Sequence, residues 1–339
     1  MPYTALLSAL SSLPLDGYTS DQREALGTLY EYIEEPSPYA LFLLTGYAGT
    51  GKTFLLRTIA DLAQRAGLRV ELMASTGRAA KVLSASTGRP ASTIHRTIYR
   101  ASTQMQEEGG SFQLGRVSAT TPTLFIVDEA SMISGDMGEM TPFGSGNLLD
   151  DLLSYVWSAD EAKLIFVGDT AQLPPVGTPL SDALNAEVLT SRYGLHVYGM
   201  ELREVVRQKR GGILHNATQL RELLDEYADE DPEEILPIHL ETEGWRGIFP
   251  VEGGTFIETL DEAYRRYGEE ECLVICPSNK LALECNHAIR SSVLFYEEEP
   301  VVRGERLIVA RNNYHYTKRP DHSDFIANGE IIEVVRLHR

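Results

Sequence analysis

Residues 46–53, Gly46-Tyr47-Ala48-Gly49-Thr50-Gly51-Lys52-Thr53, have the spacing G-x-x-x-x-G-K-[ST]. That pattern wraps phosphate. The glycines let the main chain curl so that its N–H groups point inward, and a helix starting there adds positive partial charge. Lys52 is placed to hold the β and γ phosphates of ATP and the Thr53 hydroxyl to ligate Mg²⁺, with Phe54 closing the nucleotide-binding stretch. A second group, Val127-Asp128-Glu129-Ala130, sets two adjacent carboxylates after an apolar run. Asp128 suits the second Mg²⁺ anchor, and Glu129 suits the base that positions and deprotonates an attacking water. A third, Gly168-Asp169-Thr170-Ala171-Gln172-Leu173-Pro174-Pro175, puts Gln172 about one turn past another apolar run, in reach of a γ-phosphate or its water. The paired prolines stiffen the segment after Leu173.

These groups need a scaffold that brings them together. Four apolar runs, Ala40–Thr45, Val70–Ala74, Thr123–Val127 and Lys163–Val167, have the length and composition of strands buried on both faces of a parallel sheet. Between the first two, Phe54, Leu55, Ile59, Leu62 and Ala63 recur at helical spacing, with Gly67 placed to end the helix. Strand, helix, strand in that order is a βαβ unit, so the N-terminal half is α/β. Residues 97–120 read as a β-hairpin around Glu108-Gly109-Gly110-Ser111, and 135–146 as a Gly-rich loop. From about residue 200 a second α/β unit is expected, with a buried strand Cys272–Cys276 and a helix Asn279–Arg290. The tail reads as strands Glu305–Ala310 and Glu330–Val335, with a tight turn at Asn328-Gly329.

The chain has 339 residues and a net charge of −19, which on average repels a polyanion. The charge is uneven: residues 57–100 hold eight Arg or Lys against two acids, whereas 222–234 hold eight acids and no base. A nucleic acid can therefore bind locally. No run of apolar residues is long enough to span a membrane, and the three cysteines (Cys272, Cys276, Cys285) fit a reducing compartment and a core role, not zinc. The expectation is a soluble, cytoplasmic, monomeric protein with no membrane partner.

The segments GYAGTGKT, STGRAAKVL (75–83), STIHRTIY (92–99), VDEASM (127–132), VGDTAQLPPV (167–176) and LREVVRQ (202–208) occur in that order. Together they resemble motifs I, Ia, Ib, II, III and IV of superfamily 1 helicases of the RecD/Dda-like branch, over about residues 18–339. The resemblance implies a RecA-like P-loop ATPase domain 1A (1–96 and 121–198), a β-hairpin domain 1B (97–120), a partial RecA-like domain 2A (199–295) and the start of an SH3-like insertion, 2B (296–339). It implies ATP-driven stepping along single-stranded DNA, 5′ to 3′, with strand separation at junctions with the duplex and roles in repair or recombination. Gln22 would contact adenine, although Thr19-x-x-Gln22 is equally a capping box. Arg207 would meet the γ-phosphate as an arginine finger does. Thr76, Arg78, Thr93 and His95 would contact the DNA backbone; His95 is alternatively a packed polar residue. Phe112 would be the wedge that stacks on the terminal base pair, or else packs under its own hairpin.

The family's T-x-H-x-x-Q-G and Y-x-x-x-[ST]-R motifs do not occur before Arg339. The chain is accordingly expected to be a fragment, with hydrolysis slowed by up to ~10³–10⁵-fold for want of a second arginine. The alternatives to a helicase are a P-loop ATPase or nucleotide switch that binds DNA without unwinding it, and one that does not act on nucleic acid. A nuclease or repair partner is open.

Overall fold

The computed structural model describes residues 3–101, 112–118, 120–135, 143–175, 178, 180–206, 211–227, 238–296, 300–310, 326 and 329–337. They fall into two compact units, Met1–Lys209 with Ile308–Glu330, and Arg210–Leu307 with Ile331–Arg339.

The first unit begins with α1 (Thr4–Ser11), α2 (Ser20–Glu34), β1 (Ala40–Gly46), α3 (Lys52–Arg65), β2 (Arg69–Ala74) and α4 (Gly77–Thr87). It continues through β3 (Ala91–Thr93), α5 (Ile94–Ile98), β4 (Tyr99–Ala101), β5 (Phe112–Leu114) and β6 (Thr123–Asp128). α6 (Leu148–Val156), β7 (Ala162–Gly168), α7 (Ala186–Ser191) and β8 (His196–Leu202) complete it. Six strands form one sheet in the order β3-β2-β6-β7-β1-β8, with parallel pairings. This unit has a RecA-like α/β P-loop fold.

Alternation along each central strand builds two cores. Phe42 and Leu44 of β1, Leu124 and Ile126 of β6, and Ile165 and Val167 of β7 face α1, α2 and α3. Leu41 and Leu43, Phe125 and Val127, and Leu164 and Phe166 face α5 and α6 on the opposite side. Because successive side chains of a strand point to opposite faces, strands covered on both must be apolar throughout, which is why they read as continuous runs. Each such buried Leu, Ile or Phe contributes about 1.5–3 kcal/mol. The carboxyl ends of β1, β6 and β7 then lie side by side.

Two expectations change, and others fall outside the described residues. The boundary at 198/199 falls inside β8, which pairs with β1 from Ala40↔His196 to Gly46↔Leu202. The hairpin is β4 and β5 in antiparallel register, but Thr97 and Ile98 belong to α5, and the expected tip, 102–111, lies outside the described residues. Most of the 135–146 loop and the acidic stretch beyond Tyr227 also lie outside them.

The second unit holds α8 (Gly212–Glu226), α9 (Phe256–Tyr267), α10 (Asn279–Ser292), β9 (Arg306–Ile308) and β10 (Ile331–Glu333), the strands forming a two-stranded sheet. The expected helix from Asn279 is present. The expected strand Cys272–Cys276 is not: the segment pairs with nothing among the described residues, and Leu273 and Ile275 are 77% and 88% exposed. The three thiols are partly buried rather than core, with Cys276 and Cys285 Sγ atoms 3.8 Å apart.

Candidate nucleotide site and nucleic-acid interface

The loop from Gly46 to Thr53 joins the carboxyl end of β1 to the first turn of α3. Two of its glycines are sterically required. A Cβ on Gly46 would stand 2.6 Å from the Leu202 carbonyl oxygen, and Gly51, at φ +91°, would drive one into the Gln22 amide. The Lys52 ammonium folds back over the loop and donates to the Gly46 and Tyr47 carbonyls at 2.5 and 3.0 Å. Thr53 and Phe54 are exposed at the helix start, and the Phe54 ring lies against Tyr18 at 5.2 Å. Gln22 realises the capping box: its Oε1 accepts from Thr19 N while its own N–H bonds to the Thr19 hydroxyl. Its Nε2 then donates to the Thr50 carbonyl at 3.0 Å, so one buried amide ties α2 to the loop.

At the end of β6, burial pushes the Asp128 carboxyl up to about 6, helped by repulsion from Glu129 and opposed by the nearby Lys52 charge. A cation at Asp128 would remove that penalty, so the donor set fits a hard, oxygen-bound ion. Glu129 adopts the left-handed conformation (φ 55°, ψ 43°) and donates its N–H to the Asp128 carboxylate at 3.0 Å. A bulky residue held there stores strain, and such strain clusters at working sites. Gln172 stands exposed beyond β7, and the buried Ser131 donates to its Oε1 at 3.3 Å. The carboxylate segment and the β7 loop are thereby linked. Arg207 lies outside the described residues.

On the neighbouring surface, Thr76 caps α4 by accepting from Ala79 N, and Thr93 caps α5 by accepting from Arg96 N, both at 3.2 Å. Each hydroxyl keeps its own proton to donate. Arg78 is exposed. A groove of about 160 Å³ runs between these helices, lined by Gly77, Lys81, Ser84, Ser92, Thr93 and Arg96 along with the acidic Glu330. His95 takes the packed alternative: its ring lies 5.7 Å from Tyr99 and 5.2 Å from Phe143, and burial lowers its pKa. Phe112 also takes its packed alternative. It stacks on Phe143 at 4.7 Å at the base of the hairpin, opposite Ala101, which makes it a packing residue and not a free tip.

A model of the AAA domain family matches residues 17–236, which spans every element just described around the loop. The chain belongs to that family. Two curated relatives are similar to the chain in sequence. The ATP-dependent RecD2 DNA helicase of Deinococcus radiodurans is 33% identical over 214 residues, covering 61% of this chain and 27% of the relative. The ATP-dependent DNA helicase dda of Enterobacteria phage T4 is 25% identical over 338 residues, covering 95% and 68%. The chain thus spans about a quarter of the first protein's length and about two thirds of the second's. A crystal structure of Pif1 helicase from Bacteroides is 18% identical, covering 95% of this chain and 70% of that one at a TM-score of 0.40.

Sequence reasoning missed Ser131, which bridges to Gln172, and Ser181, which donates to the Ala130 and Ile133 carbonyls at 2.8 and 2.6 Å and pins the turn after Glu129. Ser131 stands within the VDEASM segment, which is a local signal; Ser181 carries none. Among the described residues no helix is long and apolar enough to cross a membrane.

Proposed function

We propose that this protein is an ATP-driven DNA motor that hydrolyses ATP with Mg²⁺ while tracking along single-stranded DNA, 5′ to 3′, and separating strands at junctions with the duplex. The observation that carries the reading is the convergence of Lys52, Asp128 and Glu129 at the carboxyl ends of β1 and β6, with Gln22 bonded to the loop between them. Ligands of open α/β sheets bind in that place. The amides of residues 46–51 surround the phosphates, Lys52 leaves its loop carbonyls for the β and γ oxygens, and Gln22 and Phe54 line the nucleotide. Thr53 and Asp128 hold Mg²⁺, which neutralises charge on the phosphates when bound. Glu129 takes a proton from the attacking water, Gln172 orients that water, and Arg207 approaches the γ-phosphate.

Thr93, which lines the 160 Å³ groove, holds the DNA backbone together with Thr76 and Arg78, in a segment whose local basic charge offsets the acidic whole. His95 and Phe112 support that surface from beneath through Phe143. The proteins similar to this one, named as DNA helicases that depend on ATP, support the same reading.

The test is ATP turnover with and without single-stranded oligonucleotide, alongside Lys52→Ala. Single strands are expected to raise turnover, and Lys52→Ala to lower it by about 10²–10³-fold, as loss of one charge-stabilising donor does. Turnover that is indifferent to both DNA and Lys52 would sink the proposal. Unwinding of 5′- and 3′-tailed duplexes then reports polarity.

A further inference from the structure

Glu129, held left-handed, opens a short 3₁₀ turn, Ala130–Met132, whose own backbone closes it weakly. Met132 N donates to the Glu129 carbonyl at 3.4 Å and Ile133 N to the Ala130 carbonyl at 3.1 Å. The first distance lies beyond the usual range of about 2.7–3.2 Å. A left-handed residue with a Cβ persists only where its surroundings enforce the conformation. The enforcement must come from outside the turn.

A second 3₁₀ turn, Asp182–Leu184, lies beyond β7 and packs against the first. Two glycines let the surfaces close. A Cβ on Gly168, the last residue of β7, would stand 2.8 Å from Leu184 Cδ1 and 3.3 Å from Ser131 N, and one on Gly135 would run into the Asp182 carboxylate. Ser181, only 1% exposed, is thereby seated over the first turn. Its one proton is shared between the Ala130 and Ile133 carbonyls at 2.8 and 2.6 Å, across 51 and 48 residues of chain. Those two carbonyls bracket the turn. Gln172, which also follows β7, accepts from the Ser131 hydroxyl inside it at 3.3 Å. The chain beyond β7 thus grips the turn after Glu129 twice, once by its main chain and once by a side chain.

We infer that Ser181 is a positioning residue for the hydrolytic step: by clamping the turn it keeps Glu129 left-handed, so that the carboxylate meets the water that Gln172 orients. The inference rests on the reading of Glu129 as the base. A hydroxyl that only filled the core would be replaced by a methyl group without consequence for Glu129. One that closes a strained turn is not.

The experiment uses the full chain, with Glu129→Gly and Glu129→Ala made alone and together with Ser181→Ala. Urea unfolding followed through Trp157, with Trp245→Phe in every chain, gives folding equilibrium constants. With Ser181 present, the constant of Glu129→Gly should exceed that of Glu129→Ala by about 3-fold, because only glycine escapes the left-handed penalty. With Ser181→Ala the turn relaxes, and the ratio should fall to about one or below. Ser181→Ala alone should lower DNA-stimulated kcat by about 5–20-fold, while affinity for fluorescent ATP stays within about 2-fold. If Ser181→Ala does not fold, Ser181→Cys, which keeps a weak S–H donor, takes its place in every arm.

A glycine-to-alanine ratio that is equal in the two backgrounds overturns the inference. So does an unchanged kcat in Ser181→Ala alongside a kcat lost in Glu129→Gln. Failure of the underlying reading looks different: Glu129→Gln would then turn over ATP as fast as the natural chain, while the folding ratio, which involves no nucleotide, still reports whether Ser181 holds the turn.

Discussion

The two units are built from similar residue types and reach opposite degrees of burial. In the first, Phe42, Phe125 and Phe166 are almost wholly excluded from solvent between covering helices. In the second, Ile289 and Val293 are the buried apolar residues among those described, while Phe249, Phe295, Leu273 and Ile275 are between 68% and 88% exposed. α9 shows the difference most clearly. Phe256, Ile257, Leu260, Ala263, Tyr264 and Tyr267 fall at helical spacing along one side, yet none of its residues is buried. An amphipathic stripe states a demand for a covering surface; it does not supply one. The first unit meets the demand with a six-stranded sheet that offers two faces, and a two-stranded sheet offers far less area.

The contrast is broken or sharpened most strongly by truncating one side chain in each unit. Phe166→Ala opens a cavity in the middle of the sheet and is expected to cost about 3–5 kcal/mol. Ile275→Ala removes an apolar side chain of comparable kind and should stay within about 0.5 kcal/mol. The chain has two tryptophans, Trp157 in the first unit and Trp245 in the second, so fluorescence of the Trp245→Phe and Trp157→Phe backgrounds follows each unit separately in urea. Equal costs at the two positions would mean that Ile275 is covered in solution.

Legibility in the sequence divides along the same line. β1, β6 and β7 were readable because a strand covered on both faces is apolar nearly throughout, and β2 because its last three residues, Leu72–Ala74, are buried. β3 and β8 were not: they are the sheet's edges, one of three residues, the other (HVYGMEL) with only Leu202 buried. Cys272–Cys276 misled for the converse reason, since an apolar run specifies burial but not the strand that would provide it. In the candidate site, the phosphate loop and the Asp128-Glu129 pair are local patterns and could be read directly. Ser181 with Ala130 and Ile133, and Ser131 with Gln172, depend on proximity across 51, 48 and 41 residues, which no local pattern carries. His95 and Phe112 stand out by residue type, but the aromatic partner Phe143 that decides their packing lies in another loop.

A moderate effect tests how dry the first unit is. Lys163 is buried under Tyr3 and Tyr32, and its ammonium donates to the Tyr32 and Glu35 carbonyls at 3.0 and 2.6 Å, closing the end of α2. Burial lowers its pKa from 10.5 to about 8, with Glu35 pulling the other way. Below about 8 folded and unfolded chains both hold the proton; above it the unfolded chain holds more, so stability rises with pH. The neutral amine still has two N–H groups for the two carbonyls. Relative to Lys163→Met, whose unfolded tyrosines ionise alike, the protein should gain about 1–2 kcal/mol between pH 8 and 9.5. Urea titrations of the Trp157 signal at pH 7.5, 8.5 and 9.5 measure it. Parallel behaviour of the two proteins would show the Lys163 site to be hydrated.

The smallest effect concerns Glu129, where the well-packed unit holds a residue in a conformation that its neighbours impose. A side chain with a Cβ costs roughly 1–2 kcal/mol in the left-handed region, and glycine avoids that cost while losing about 0.4–1 kcal/mol through its freer unfolded state. Removing the Glu129 charge also relieves the repulsion that helps raise Asp128. Glu129→Gly should therefore be more stable than the natural chain, by about 1 kcal/mol. Glu129→Ala, which sheds the charge but keeps the Cβ, should recover less of it. The difference between the two variants isolates the backbone contribution from the electrostatic one, and urea midpoints read through Trp157 resolve it. If both variants gain equally, the strain at φ 55° is absent in solution and repulsion between the paired carboxylates accounts for the whole gain.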